Sequence, residues 1–446
     1  MPPFRKASRQ GLNHHRGLCT VVIVLACFVT VASPSRGQDR DADHRESNRR
    51  ADLSRLVIIG DSLSAGFQND SLLDSQQPHG YASLIAAQAD VSLALPLIAR
   101  PGIPNVLELV SAGPPPILTT APGTSIGRDN PAVQPTDLAV PGAALLDVLT
   151  TRPSFPITPS DILTDLILGI PGASLGELRS QLEWVEALHP TTIIAWAGNE
   201  DVLAAAISAN PALVTPIPDF KDEYSQLMDC LAATGASLVV ANIPDVTIIP
   251  FLTPTEDLAE EVGLPVSLIE PILGIGPGDF VTPDAIPLVL ARLANPSLGP
   301  LPSNVVLTAA AAQELRAVVD AYNEIIEAEA RKHGAAVVYI HRLTNLISKR
   351  GIEANGQILT TEYLGGIFSL DGVHPTNTGY AVIANAFIRA LDLHFDANLE
   401  PVSVDNVAKS DPLVLPGIEP PDSIQSHVDP DTSKSMRRLF ANRRAH

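Results

Sequence analysis

The chain has 446 residues, 45% of them hydrophobic, enough for one large core or two smaller ones. Its 29 Lys/Arg against 49 Asp/Glu give a formal charge of −20, which argues against electrostatic binding of nucleic acid or of an anionic membrane surface. The 40 prolines predict long irregular loops or disordered tails.

The N-terminus reads as an export signal. Arg5, Lys6, Arg9 and Arg16 form a basic region. An apolar run over 17–32 follows, a little short for a relaxed membrane span. Small residues then offer cleavage after Ala32 or Gly37, so 1–37 is a signal peptide and the protein is secreted or periplasmic. The alternative is an uncleaved signal anchor. A lipoprotein site at Cys27 is disfavoured by Leu25, Phe28 and Val29 around it. Cys19 and Cys27 leave with the signal, and Cys230 alone remains. That excludes an intramolecular disulfide and a cysteine metal site.

Residues 38–52 are polar and charged, a flexible lead-in to a domain over 53–396. The first strand is 55–59, an apolar, β-branched run ended by Gly60. A short helix follows over 80–89. The stretch 91–130 is apolar but rich in Pro and Gly, a first insertion with a strand near 93–99. A second core strand, 137–140, ends at Pro141–Gly142 and leads into a helix over 143–149. The helix at 177–188 carries Leu178, Leu182, Val185 and Leu188 at helical spacing. Strand 191–197, helices 201–209 and 222–233, and strand 237–243 come next. The stretch 244–303 is a second Pro/Gly-rich insertion, apolar enough to read as a packed lid or cap. Thr308 caps a long helix ended by Gly334; strand 336–340 and a helix over 376–395 complete the domain. From 397 to 446 the chain reads as a disordered tail. Alternating helices and five strands predict a three-layer α/β/α domain with a parallel sheet and its site at the strand C-termini.

Four stretches fall just after those strands. Ser62 follows the first strand at a helix start, where its hydroxyl and N–H can face a ligand; alone it reads equally as a cap. Gly142 can bring a bare backbone N–H close to a ligand, or simply turn the chain. Asn199, in Gly198-Asn199-Glu200-Asp201, can donate to a developing oxyanion, or cap the next helix with Asp201. Asp371 precedes His374 by three residues, a spacing that lets a carboxylate fix the imidazole tautomer. Pro375 suits a first helical position, and Asp371–Gly372 could also be a plain surface turn.

In this order, GDSLSAG at 60–66, the glycine of AVPGA at 139–143, GNED at 198–201 and DGVHPT at 371–376 resemble the SGNH (GDSL-type) esterases and lipases. The resemblance spans about 55–395. It implies a flavodoxin-like SGNH hydrolase fold, with Ser62 as nucleophile, His374 as general base and acid, and Asp371 as its orienting carboxylate. The N–H groups of Ser62 and Gly142, with an asparagine amide, would bind the oxyanion. This chain departs from the family at the third block. Aligned on Gly198 and Asp201, it has Glu200 where the oxyanion asparagine belongs. Either Asn199 takes the role, or a protonated Glu200 donates in its place. The resemblance implies a carboxylic ester hydrolase acting on small-molecule or lipid esters, with lipid or medium-chain acyl esters favoured by the apolar insertions. The alternatives are a carbohydrate O-deacetylase and a binding protein that kept the fold but lost turnover. It implies no cofactor, and no Cys/His cluster has metal-ligand spacing.

Overall fold

The computed structural model describes residues 50–112, 116–154, 161–169 and 178–414, with Lys434 and Arg437 beyond them. The expected signal peptide, Cys19, Cys27, most of the lead-in and most of the tail lie outside the described residues.

The elements that position the site are, in chain order, β1 (Leu56–Gly60), α1 (Tyr81–Gln88), α2 (Leu145–Thr150), α3 (Gln181–Leu188), β2 (Thr192–Trp196), α4 (Glu200–Ile207) and α5 (Ile217–Ala233). They continue with β3 (Ser237–Ala241), α6 (Ala309–His333), β4 (Ala336–Val338), α7 (Ile340–Arg350), α8 (Asn377–Phe395) and α9 (Val404–Ser410). Among the described residues the central sheet has four parallel strands in the order β1-β2-β3-β4.

Both faces of the sheet are covered, and the period of two along each strand shows how. Val57, Ile59, Ile193, Ala195 and Val240 join the core formed with α2 to α6. Leu56, Ile58, Ile194, Trp196 and Val239 join the opposite core, formed with α1 and α8. This is the three-layer α/β/α arrangement.

The sheet has one strand fewer than expected. Residues 137–140 do run parallel to β1, bound through Leu138 N–H to Ile58 O at 2.9 Å and Val140 N–H to Gly60 O at 3.1 Å. The pairing amounts to a single bridge between Ile58 and Asp137. Pro135 and Pro141, which lack N–H donors, bracket the segment and stop the ladder.

The first insertion also differs. Instead of a strand near 93–99, only Ile98 bridges, to Arg128, and an antiparallel pair forms from Leu107–Ser111 and Ile117–Thr120. The second insertion is packed. It folds short strands Thr253–Pro254 and Phe280–Val281 and helices Thr255–Glu261, Val266–Leu273 and Ile286–Ala294 around Leu258, Ile269, Leu273, Val289 and Leu301.

Helices α7 and α9 were not anticipated, nor were the helix Ile162–Leu168 and the hairpin of Ile352–Ala354 and Gln357–Leu359. The strand expected over 336–340 ends at Val338, and α7 begins at Ile340. Of the tail expected to be disordered from 397, residues 397–414 are ordered. Ser403 caps α9 by accepting from Asn406 N–H at 3.3 Å, and Val402, Ala408, Leu413 and Val414 are buried. Asp411 accepts from the Thr378 N–H at 2.8 Å and its hydroxyl at 2.7 Å, binding this segment to the first turn of α8. A polar composition hid both caps.

Candidate active site

The strand ends carry the site residues towards one edge of the sheet. Ser62 lies two residues beyond β1 and is buried. Gln181 at the start of α3 pins that strand end, accepting from Gly60 N–H and donating to Gly60 O, each at 2.9 Å. Because residues 137–140 run alongside β1, their register brings Pro141–Gly142 beside Asp61–Ser62. Gly142 has φ +77°, a conformation that favours glycine. Among the described residues, the N–H groups of Ser62 and Gly142 have no hydrogen-bond acceptor.

Asn199 and Glu200 follow β2, at the start of α4. The turn before them needs Gly198, whose φ is +107° and where a Cβ would come within 2.9 Å of the Phe220 ring. Asn199 Nδ2 donates to Asp61 Oδ2 at 2.8 Å. Asp201 reaches the other way. It accepts from the Leu145 N–H at 2.8 Å and from the Thr215 hydroxyl at 2.6 Å, tying the loop that holds Gly142 to α4.

Asp371 and His374 meet on the loop before α8. His374 Nδ1 lies 3.1 Å from Asp371 Oδ2, with both side chains buried. The Asp371 carboxylate also accepts the N–H groups of Val373 at 2.9 Å, His374 at 2.8 Å and Asp70 at 2.8 Å. Burial would raise the Asp371 carboxyl, but His374 and these N–H donors outweigh it and hold the carboxyl below its ordinary value. The ring of Phe67 packs on His374 with centroids 4.6 Å apart.

Ser62, His374, Asn199 and Glu200 all line one cavity of about 630 Å³, counted out to open solvent. Its other walls are mostly apolar: Leu63, Val246, Ile248, Ile249, Phe368 and Ile383 among them. Three of these come from the start of the second insertion. The cavity thus gathers a serine, a histidine backed by a carboxylate, and an amide, set against an apolar wall. That donor set suits acyl transfer.

Sequence reasoning passed over three supports of this site. Asp61 holds Asn199, and burial pushes its carboxyl up to about 6. Asn69 and Asp70 sit in the left-handed region at φ +54° and +57°. From there Asn69 Oδ1 accepts from Leu370 N–H at 3.1 Å, and Asp70 N–H meets Asp371. The adjacent Asn–Asp pair, two residue types that tolerate this conformation, was the available signal.

Asp229, Glu329 and His333 also gather ligand atoms within 4.8 Å of one another. They lie near the C-terminal ends of α5 and α6, where the chain enters the opposite edge of the sheet. The Lys332 ammonium already lies 3.1 Å from Asp229 and 3.0 Å from Glu329, so those carboxylates have a cation.

A model of the GDSL-like Lipase/Acylhydrolase family matches residues 56–387. The chain belongs to that family. The match runs from the first residue of β1 into α8 and so encloses every residue of the site described above in this GDSL-like hydrolase. No curated protein matches it. Among solved structures, the GDSL-like chain is similar to an alpha/beta hydrolase enzyme from the metagenome of Lake Arreo, Spain. Identity there is 13%, over 76% of this chain and 96% of that one, with TM-score 0.35. It is also similar to a catalytic mutant of an acetylxylan esterase from Geobacillus stearothermophilus. Identity is 10%, over 78% of this chain and 96% of that one, with TM-score 0.36.

Proposed function

We propose that this GDSL-family hydrolase is an exported serine esterase that cleaves lipid or medium-chain acyl esters. Ser62 Oγ attacks the ester carbonyl carbon while His374 Nε2 takes its proton. The tetrahedral oxyanion sits against the N–H groups of Ser62 and Gly142 and the Asn199 amide. Collapse expels the alcohol, which receives the proton from His374 and leaves an acyl group on Ser62. Water, deprotonated by His374, then releases the acid. Asp371 keeps the Nδ1 proton of His374 in place and balances the imidazolium charge.

The observation that carries this reading is the shared cavity. A serine and a carboxylate-backed histidine open onto the same apolar space. The wall built from Val246, Ile248 and Ile249 favours a hydrocarbon acyl group over a polar sugar, since burying apolar surface on both sides is what such a wall rewards.

A chain-length series of p-nitrophenyl esters, from acetate to palmitate, tests it. Activity is expected to peak at an intermediate or long chain and to vanish in Ser62→Ala. A maximum at acetate would end the lipid reading, and full activity in Ser62→Ala would end the site assignment. Export is tested separately, by N-terminal sequencing of protein recovered outside the expressing cells. A mature chain starting at Ser33 or Gln38 is expected.

A further inference from the structure

Helix α7 has two sides of different character. Its inner side closes the cavity: Ile340 and Thr344 line it, and Ile347 is buried. The helix start is fixed at the end of β3, where Asn242 Oδ1 accepts the His341 N–H at 2.9 Å. Its outer side carries Arg342, Leu346, Lys349 and Arg350. At 3.6 residues per turn these four fall within about 100° of the helix circumference, facing away from the cavity. All four are exposed, and Leu346 is 48% exposed. Tyr339, at the helix start, is 53% exposed, and Ile358 on the hairpin that follows is 68% exposed.

The charge on this helix runs against the rest of the chain. Within a protein of formal charge −20, α7 holds three Lys/Arg and no Asp or Glu. Among the described residues no carboxylate forms a salt bridge with Arg342, Lys349 or Arg350. Exposed Glu353, on the next strand, is the first acid after it along the chain. Cations interleaved with exposed Tyr and Leu on one helical face are the composition that settles at an anionic lipid–water boundary.

We propose that the outer face of α7 docks on an anionic lipid surface, bringing the wall of the Ser62 cavity that this helix forms close to lipid. Charge complementarity selects the occupant. An anionic bilayer attracts this face, while the acidic residues that give the chain its net charge are repelled. Continuity with the cavity gives the docking its use, because the same helix lines the cavity with its inner side. The overall charge, which spoke against an anionic surface, averages over this distribution. Docking goes beyond the proposed esterase activity and does not depend on it.

The test compares the full chain with a triple variant, Arg342→Glu, Lys349→Glu and Arg350→Glu, in co-sedimentation with vesicles. One vesicle is phosphatidylcholine alone; the other is an equal mixture with phosphatidylglycerol. The apolar run at 17–32 and the basic residues before it are common to both proteins, so their difference isolates α7. Wild type is expected to partition at least about tenfold more strongly onto the mixed vesicles, with the preference shrinking at high salt. The triple variant is expected to lose most of that preference while hydrolysing soluble p-nitrophenyl butyrate at the wild-type rate, which also confirms its fold. Ser62→Ala is expected to bind vesicles as wild type does, so failure of docking and failure of the esterase reading are seen separately. Equal partitioning by wild type and triple variant overturns the proposal. So does a wild type that prefers neither vesicle, or one whose α7 face instead pairs with a second copy by sedimentation velocity.

Discussion

The Asn199 amide donates to the Asp61 carboxylate across 2.8 Å, and Asp61 directly precedes Ser62. The hydrogen bond links the end of β1 to the start of α4. With its carboxyl pushed up to about 6 by burial, Asp61 is ionised in a mildly alkaline assay and must accept. Asn199 Nδ2 is then held towards it, with one N–H engaged and a second left for the cavity.

An amide donates at every pH, whereas Glu200 donates only when protonated. Asn199→Ala is therefore expected to lower kcat on p-nitrophenyl butyrate by about a hundredfold or more, with a smaller change in KM. Glu200→Gln is expected to stay within a few fold of wild type. A silent Asn199→Ala beside an accelerated Glu200→Gln would move the oxyanion role to Glu200.

The Asp371 loop depends on two residues far away in sequence. Asn69→Ala removes the acceptor for Leu370 N–H and places alanine at φ +54°. A loss of about 1–3 kcal/mol in urea unfolding is expected, with a lower kcat as Asp371 loosens. Asn69→Gly restores the backbone preference but not the acceptor, and is expected to lie between alanine and wild type.

Asp137 is buried beside β1, and burial pushes its carboxyl up to about 8. In the unfolded chain it titrates near 4. The folded state therefore holds the proton more tightly, and this stabilisation is complete below about pH 4. It is lost as pH rises through about 8. Unfolding free energy from pH 5 to 9 should fall by up to about 1.4 kcal/mol per pH unit from this group alone, the slope flattening above about pH 8. Asp137→Asn, which cannot ionise, should flatten that slope. An unchanged slope would show that another group sets it.

Arg437 joins the C-terminal segment to both α4 and the second insertion. Its guanidinium donates to Ile207 O at 3.1 Å and Thr282 Oγ1 at 2.9 Å, and pairs with Asp284 Oδ2 at 3.2 Å. Arg437→Ala and Asp284→Ala are each expected to cost about 1–3 kcal/mol. A double-mutant cycle should show strong non-additivity, since either change breaks the same contact. Additive losses would mean that the pair contributes nothing.

Much of this was legible from local pattern. Strands β1 to β3 announced themselves as β-branched runs ended by Gly or Pro, and α6 through Thr308 and Gly334 at its ends. The short apolar runs read correctly because their flanks carried the turn signals. What failed had its stabilisation elsewhere. Ile340 continues the apolar run of β4, yet its N-terminal turn is set by Asn242, nearly a hundred residues earlier. Helix α9 is polar in composition, and its caps and its contact with α8 hold it. In the site, Ser62, Gly142, Asp371 and His374 stood in motifs. Asp61, Asn69 and Asp201 act by hydrogen bonds to distant backbone or side chains, which spacing along the chain does not reveal.

Asp411 has a consequence for the order in which the molecule is made. It accepts from the first turn of the helix that follows His374, and it comes well after that histidine in the chain. The serine end of the site is synthesised early, while the histidine end receives its final anchor last. A chain made N-terminus first thus presents Ser62 long before the residue that anchors the helix after His374 has been synthesised.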